Sequence, residues 1–315
     1  MSYKNTKSKY FKVLSGIPQG SNLGPLLFCL FVNDIPKFVK NSKVLMYADD
    51  VKIYSEIKQE EDGENLQCDI DNLINWAELN KMTLNEKKCH VLSFTKRNGV
   101  HNSYILNGNK LNHCNKIKDL GLIIDSQLNY NDHVQDIVKS GNRMVGFLIR
   151  ICHFLRTRIQ ILTLYNGLVR SKLEYGSVIW NSFQSKQIEA VEKVQKKFLR
   201  YLYFKTNGIY PHYIHHPVST AQMLVMFDIC SLKKRRDVLD CIFIYKLLNN
   251  YIDSPDLISR IHFKIKTKNT RYHTMFLIRG SLRIPLNRML QRLNCVPQDI
   301  DPFSLSLNSF KKKLL

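Results

Sequence analysis

The sequence is short of acidic residues and of closely spaced cysteines. It has 26 Asp and Glu residues against 47 Lys and Arg residues, a net charge of +21. The eight cysteines include no Cys-x-x-Cys pair, so no disulfide framework is expected. The longest apolar run, Leu26 to Val32, is far shorter than the roughly 20 residues that cross a bilayer. We therefore expect an intracellular protein, nuclear or cytoplasmic, with no membrane segment.

The positive charge is concentrated in the second part of the chain. Residues 1–132 carry 17 basic and 15 acidic residues, a net charge of 17 − 15 = +2, and residues 133–315 carry 30 and 11, a net charge of 30 − 11 = +19. This asymmetry favours a near-neutral first region followed by a module that binds the phosphate backbone of nucleic acid. A generally basic surface is the alternative.

Two adjacent carboxylates, Asp49 and Asp50, follow Tyr47 and Ala48 between two short apolar runs. This pattern predicts a tight hairpin with both carboxylates at its tip. Neighbouring carboxylates repel each other unless a cation screens them, which points to a divalent metal. A solvated Asp-Asp turn is the plainer alternative.

A Gly/Pro-rich turn precedes this hairpin and leads into an apolar helix. It reads Gly-Ile-Pro-Gln-Gly-Ser from Gly16 to Ser21, and Asn-Asp-Ile-Pro follows at 33–36. Together the motifs resemble reverse transcriptases of jockey-like non-LTR retrotransposons. The resemblance continues through an LNxxK motif at 84–88 and a strand at 118–124, and less specifically through 173–180 and 232–236.

The resemblance, together with the periodicity, implies an α+β fold in two regions. Residues 1–125 resemble part of a polymerase palm, an antiparallel sheet with helices, and 126–315 an all-helical, basic, thumb-like region. Apolar spacing predicts helices over 23–33, 60–79, 188–202 and 223–249. It also predicts apolar stripes, each the buried face of a helix, at 134–148 and 159–173. Strands are predicted over 10–14, 89–94, 104–106 and 118–124.

The resemblance also implies an activity, RNA-directed DNA synthesis by metal-dependent nucleotidyl transfer to a primer 3′ hydroxyl. The expected partners are an RNA template, a DNA primer and a dNTP, and the expected cofactor is Mg²⁺ or Mn²⁺. The oligomeric state stays open. The implied roles are metal binding and catalysis by Asp49 and Asp50, protonation of pyrophosphate by Lys88 or its neighbour Lys87, and substrate contacts by Tyr47, Pro18, Gln19 and Gly20.

The family supplies a further metal-binding aspartate, and its fingers, from upstream of the Gly16 turn. Only fifteen residues precede Gly16 here, and none of them is acidic. Because two-metal transfer needs carboxylates on both sides of the metal pair, we expect this chain to be an N-terminally truncated portion that is inactive alone. The alternative is a catalytically inactive remnant that only binds RNA or DNA through its basic C-terminal region. No residue constellation supports a nuclease.

Basic residues recur along the C-terminal region in places that leave their role open. Lys233 to Arg236 form a run of four within a predicted helix, so at least one of them is expected close to its apolar stripe. Further cations between Lys264 and Arg292 alternate with aromatic residues. Both patterns suit nucleic-acid contacts. The alternative for the run of four is an ordinary basic helix, and the alternative for the later cations is a poorly packed C-terminal lobe. Lys197 and Arg200 face either a phosphate backbone or solvent.

Overall fold

The computed structural model of the chain divides into two compact units, Met1–Ile117 and Lys118–Leu315. It describes residues 2–3, 6–7, 9, 16, 20–94, 102–155, 157–181, 184–211, 217–264, 274–297 and 299–315. The predicted strand over 10–14 lies outside these residues. Within the described ranges, every helix is too short or too polar to cross a bilayer.

The structure is a mixture of short strands and helices, compatible with the α+β class. The strands are β1 (Ser2–Tyr3), β2 (Thr6–Lys7), β3 (Lys43–Tyr47), β4 (Asp50–Tyr54), β5 (His90–Val91), β6 (Ile105–Leu106), β7 (Asn109–Lys110), β8 (Asn112–His113), β9 (Lys116–Asp119), β10 (Leu122–Asp125), β11 (His262–Phe263) and β12 (Phe276–Leu277). They form two-stranded sheets in the pairs β1–β2, β3–β4, β5–β8, β6–β7, β9–β10 and β11–β12.

The helices lie mostly in the second unit. They are α1 (Gly24–Val32), α2 (Glu60–Leu79), α3 (Asn131–Ile151), α4 (Arg158–Tyr165), α5 (Ser171–Glu174), α6 (Ser177–Trp180), α7 (Ser185–Asn207), α8 (Thr220–Phe227), α9 (Leu232–Leu248), α10 (Pro255–Ile258), α11 (Pro285–Asn294) and α12 (Leu307–Leu314). A π-helical turn, Asn166–Arg170, joins α4 to α5.

The N-terminal unit is organised by α2, whose predicted bounds are confirmed. Gln59 and Asp62 form a capping box at its start, which satisfies backbone N–H groups that would otherwise lack partners. Its apolar face buries Trp76 and Ala77 against α1 and against the inner face of the β3–β4 hairpin. The hairpin is thus held from behind by one small core.

The C-terminal unit has two hydrophobic cores that meet along α9. The first joins α3, α4, α5, α7 and α8, and the second joins α9, α11 and α12. Gly141 lets α3 approach its neighbours closely, because a Cβ there would stand 2.9 Å from Leu173 Cδ2 and 3.2 Å from Val194 Cγ1. The stripe predicted at 134–148 is confirmed in α3, and the helix predicted over 188–202 lies within α7.

Two long predicted elements are interrupted by residues in the left-handed backbone region. The strand predicted over 118–124 turns back at Leu120 (φ 44°) and Gly121 (φ 85°), so it becomes the β9–β10 pair. The helix predicted over 223–249 breaks at Asp228 (φ 53°) and restarts after Ser231, whose hydroxyl accepts the Lys234 N–H at 3.2 Å.

Three further expectations are wrong in detail. The strand expected over 89–94 shortens to His90–Val91. Ile159, expected on a buried stripe, is 74% exposed, whereas Ile161 and Tyr165 are buried. The C-terminal region is not all-helical, because His262–Phe263 pairs with Phe276–Leu277 and buries Phe276 in the second core.

Candidate active site

The candidate carboxylates lie at the tip of the predicted hairpin. β3 and β4 are antiparallel, and Tyr47 pairs with Asp50, so Ala48 and Asp49 form a two-residue turn. Ala48 has a φ of 52°, which an L-residue adopts reluctantly but which two-residue hairpin turns favour. The hairpin predicted from this tetrapeptide is confirmed.

The two faces of the hairpin differ, as strand alternation requires. On the inner face, Val44 and Met46 of β3 pack on the core of the N-terminal unit together with their partners in β4, Ile53 and Val51. On the outer face lie Tyr47 and Asp50. Tyr47 is 65% exposed, and Asp49 and Asp50 are exposed as well. Within the described ranges, neither carboxylate accepts a hydrogen bond or forms an ion pair. Their oxygens are therefore available to a ligand from solution.

A buried carboxylate that the sequence did not reveal holds the backbone of the segment directly before β3. Asp69 in α2 is fully buried and accepts the backbone N–H groups of Lys40, Asn41 and Ser42 at 2.9, 2.9 and 2.7 Å. Burial opposes the ionisation of Asp69, but these donors outweigh it and hold its pKa below the ordinary range. Its position on the apolar stripe of α2, four residues before Leu73, was the available signal.

A second contact joins α2 to the segment between α1 and β3. Trp76 Nε1 donates to Asp34 Oδ1 at 3.0 Å, and the indole itself is buried. Asp34 belongs to the Asn-Asp-Ile-Pro motif, so this motif braces the hairpin from α2. A preorganised support of this kind keeps side chains at a tip in a defined position.

Lys88 lies in a 3₁₀ turn, Glu86–Lys88, and is exposed, as is Lys87. The turn is fastened by Glu86, which accepts Asn107 Nδ2 at 2.8 Å and Asn109 Nδ2 at 2.7 Å. Among the described residues, no hydrogen bond or ion pair links either lysine to the hairpin carboxylates. The structure thus leaves the choice between the two lysines open.

The Gly/Pro-rich turn is described at Gly16, Gly20 and Ser21, whereas Pro18 and Gln19 lie outside the described residues. Gly16 and Gly20 have φ values of 80° and 84°, and no atom of the residues that the structure describes stands within 4 Å of a Cβ built at either. Glycine is therefore favoured at these two positions by the positive φ of the backbone and not by a neighbouring atom that would exclude a Cβ. The Ser21 hydroxyl accepts the Leu23 N–H at 3.3 Å at the entry to α1.

The hairpin tip carries the kind of donor atoms that a divalent metal takes. Two adjacent carboxylates supply the hard oxygen donors that Mg²⁺ and Mn²⁺ take, and their exposure leaves room for coordinated water. In the part of the chain that the structure describes, no group of three or more His, Cys, Asp and Glu residues is placed to hold a metal ion. The residues present therefore fit a metal held partly by this tip.

Several cations whose pattern suited nucleic-acid contacts have partners inside the C-terminal unit instead. Arg236, the residue of the four-cation run nearest the apolar stripe, is buried, lies 5.6 Å from the centre of the Trp180 ring and donates to Asn181 at 3.2 Å. Its neighbour Arg235 forms a two-point ion pair with Glu174. The expectation that one residue of the run lies against the apolar stripe is confirmed.

Two arginines of α11 are paired in the same way. Arg288 Nε lies 3.0 Å from Asp240 Oδ2, and both side chains are buried. Arg292 Nη1 lies 2.7 Å from Asp237 Oδ2. These ion pairs join α11 to α9, so neither arginine is offered to a partner and the region around them is well packed.

Comparison with known proteins gives the same family as the motifs. Residues 1–124 match the family model described as reverse transcriptase (RNA-dependent DNA polymerase). The RNA-directed DNA polymerase from mobile element jockey of Drosophila melanogaster is 27% identical over 213 residues, 64% of this chain and 23% of the relative. The probable RNA-directed DNA polymerase from transposon X-element of the same species is 27% identical over 198 residues, 60% of this chain and 22% of the relative.

This chain thus spans less than a quarter of the length of these curated relatives. No solved structure matches it. The family match covers the braced hairpin, the Gly/Pro-rich turn and the LNxxK turn, and the similarity to the relatives runs beyond it. Residues 1–124 of this chain thus match the reverse transcriptase family, and the chain is similar to the polymerases of jockey-like non-LTR retrotransposons.

Proposed function

We propose that this chain provides part of an RNA-directed DNA polymerase that transfers nucleotides to a primer 3′ hydroxyl. The observation that carries the proposal is the pair of exposed carboxylates, Asp49 and Asp50, at the tip of a hairpin braced from behind by Asp69 and Trp76. Residues 1–125 then act as a partial palm and residues 126–315 as a thumb-like region.

The proposed cofactor is Mg²⁺ or Mn²⁺, held by Asp49 with Asp50 as its supporting partner. When bound, such an ion neutralises charge on the attacking and leaving oxygens of an in-line displacement. The tip suits this task because its side chains face solvent while its backbone is fixed by the core behind it. Tyr47, which pairs with Asp50, would contact the primer terminus.

The proposed substrates are an RNA template, a DNA primer and a dNTP. The turn containing Pro18, Gln19 and Gly20 would form the floor beneath the new base pair, and Lys88 or Lys87 would protonate pyrophosphate. The matched family model and relatives are polymerases by description, so the binding-only alternative is not favoured.

Primer extension tests the proposal. The purified chain is given poly(rA)/oligo(dT), dTTP and Mg²⁺ or Mn²⁺ and is compared with Asp49→Asn. Asp71→Asn is the control, because Asp71 is an exposed carboxylate on α2. Any template-dependent extension is expected to fall at least about 100-fold in Asp49→Asn, the loss typical of removing a transition-state electrostatic contact, and to be unchanged in the control.

Extension by the purified chain would contradict the expectation, drawn from the sequence, that further carboxylates are needed. No extension with either metal would agree with that expectation, and the binding of Mn²⁺ at the hairpin then tests the proposal. Extension that is unaffected by Asp49→Asn would overturn the assignment of the hairpin.

A further inference from the structure

Helices α3 and α7 of the C-terminal unit lie side by side and run in the same direction. Near their N-terminal ends, Gln187 Nε2 donates to the Asn131 side chain. Near their C-terminal ends, Lys205 Nζ donates to the His153 carbonyl at 2.8 Å. Because the helices have 21 and 23 residues, the groove between their outer edges is about 30 Å long.

Both edges of this groove carry exposed cations. Their spacing of four or seven residues places the cations of each helix on one face of that helix. They are Lys139, Arg143 and Arg150 on α3, and Lys186, Lys193 and Lys197 on α7. None of them forms an ion pair with another described residue, unlike Arg235, Arg288 and Arg292. Glu189 is an exposed acidic residue within the α7 row.

The groove has an apolar floor at its N-terminal end. A cavity of about 380 Å³ there is lined by Val134, Val138 and Ala190, by Lys139 and Lys186, and by four Asn and Gln side chains. An apolar floor between two cations fits the sugar and base of a nucleotide whose phosphates lie along the edges.

Exposed aromatic rings stand at the other end of the groove. Phe154 follows α3, is 78% exposed, and packs on the His153 ring with 3.6 Å between centroids. Phe204, near the end of α7, is also exposed, and its ring lies 6.1 Å from that of Tyr210. The contact between Lys205 and His153 brings these rings to the same end. Aromatic faces beside cations favour stacking with unpaired bases.

We propose that the α3–α7 groove binds a single strand of nucleic acid, with its phosphates along the two rows of cations and its bases stacked on Phe154 and Phe204. Charge complementarity selects a polyanion, and the aromatic end selects an unpaired strand, because the bases of a duplex are already stacked on each other. The inference rests on the proposed function for the class of ligand and assigns the surface that holds it.

The test is the binding of a labelled 20-nucleotide oligo(U) RNA to the full chain, measured by fluorescence anisotropy in EDTA at several salt concentrations. Lys139→Gln, Lys193→Gln and Lys197→Gln are combined in one variant. The control combines Arg260→Gln, Arg279→Gln and Lys312→Gln, which remove the same charge from exposed positions of the second core region.

In a plot of the logarithm of affinity against the logarithm of salt concentration, each phosphate contact on a single strand contributes about 0.7 to the slope. Loss of three contacts therefore lowers the slope by about 2 and the affinity at 0.1 M salt by about 100-fold. We expect the control variant to lose less than about threefold. Glu189→Gln is expected to raise affinity, and Phe154→Ala to lower it about fivefold or more for the single strand alone.

Three results would overturn the inference. Equal losses in the two triple variants would mean that only net charge matters. Equal competition by a duplex of the same length would exclude a single-strand surface. Equal competition by polyglutamate would identify an acidic-peptide surface instead. Since the assay contains no metal, Asp49→Asn is expected to bind normally, so an inactive polymerase would not be mistaken for a failed groove.

Discussion

The two units of this protein differ in where the charges of their most conspicuous sequence motifs lie. In the N-terminal unit, the carboxylates that match a catalytic motif, Asp49 and Asp50, are exposed at a tip. In the C-terminal unit, part of the most conspicuous basic run is buried, with Arg236 against Trp180 and Asn181. A charged side chain is available to a ligand only if no other part of the same protein already pairs with it. The amino-acid composition alone does not show which charges are paired.

The largest expected effect comes from breaking the buried ion pair of the C-terminal unit. Arg288→Met removes the nearest cation from buried Asp240 and leaves it Arg292, whose Nε lies 3.2 Å away, so we expect a loss of about 3 kcal/mol in unfolding free energy. Arg279→Met removes an exposed arginine and should cost less than about 0.5 kcal/mol. Urea denaturation of both variants measures the difference. Equal, small losses would mean that the buried pair does not hold α9 to α11.

The corresponding substitution in the N-terminal unit is Asp69→Asn. It weakens three backbone hydrogen bonds to a carboxylate, so we expect a loss of about 2 kcal/mol and faster amide exchange at 40–42. Because the folded pKa of Asp69 is lowered, the stability it gives is present above its unfolded pKa of about 3.9 and is lost as pH falls through the folded pKa. Asp71→Asn is the control, and unchanged exchange at 40–42 in Asp69→Asn would contradict the bracing role.

A smaller effect is expected where α3 meets its neighbours. Gly141→Ala places a methyl group against Leu173 and Val194, and we expect a net loss of about 1–2 kcal/mol even after the gain in helix propensity. Gly146→Ala lies on the same helix with only the end of Arg150 nearby, and it should stabilise by up to about 1 kcal/mol. Thermal melting compares the two. Stabilisation by both would show that α3 packs more loosely than described.

The smallest expected effect is a pH dependence of the C-terminal unit. His133 is buried beside Trp180, and this burial lowers its pKa. The positive charge of Lys118 lowers the pKa further, whereas the negative charge of Asp136 raises it. His133 Nδ1 accepts the Ile123 N–H at 3.3 Å, which requires a neutral ring. The unfolded chain therefore binds a proton more readily, and stability falls as pH drops below about 6.5 until the folded pKa is passed.

Melting temperatures between pH 7.5 and 5 measure this dependence. We expect the fall in wild type to be reduced in His133→Leu, which keeps an apolar side chain at the position. The same fall in both proteins would assign the pH dependence to other groups.

Much of the candidate site was predictable because it is local in sequence. The hairpin tip and the long amphipathic helix α2 follow from turn chemistry and periodicity over short windows. The sequence alone left Asp69 unassigned because its donors lie about 28 residues earlier in the chain. The break at Asp228 and the turn at Leu120 were missed because residues other than glycine adopt positive φ there, which apolar patterns do not record.

The fate of the basic residues was the least predictable part. Arg288 and Arg292 alternate with apolar and aromatic neighbours in a way that suits nucleic-acid contact, yet they meet Asp240 and Asp237, about 50 residues earlier. Pairing over such separations is decided by how α9 and α11 pack and not by either helix alone.

The most direct test of the central claim is to locate Mn²⁺ on the folded chain by paramagnetic broadening of backbone amide signals. The account predicts broadening centred on Ala48 to Val51 that is lost in Asp49→Asn and retained in Asp71→Asn. Broadening centred elsewhere, or unchanged by Asp49→Asn, would contradict the assignment of the hairpin carboxylates as the metal-binding part of the site.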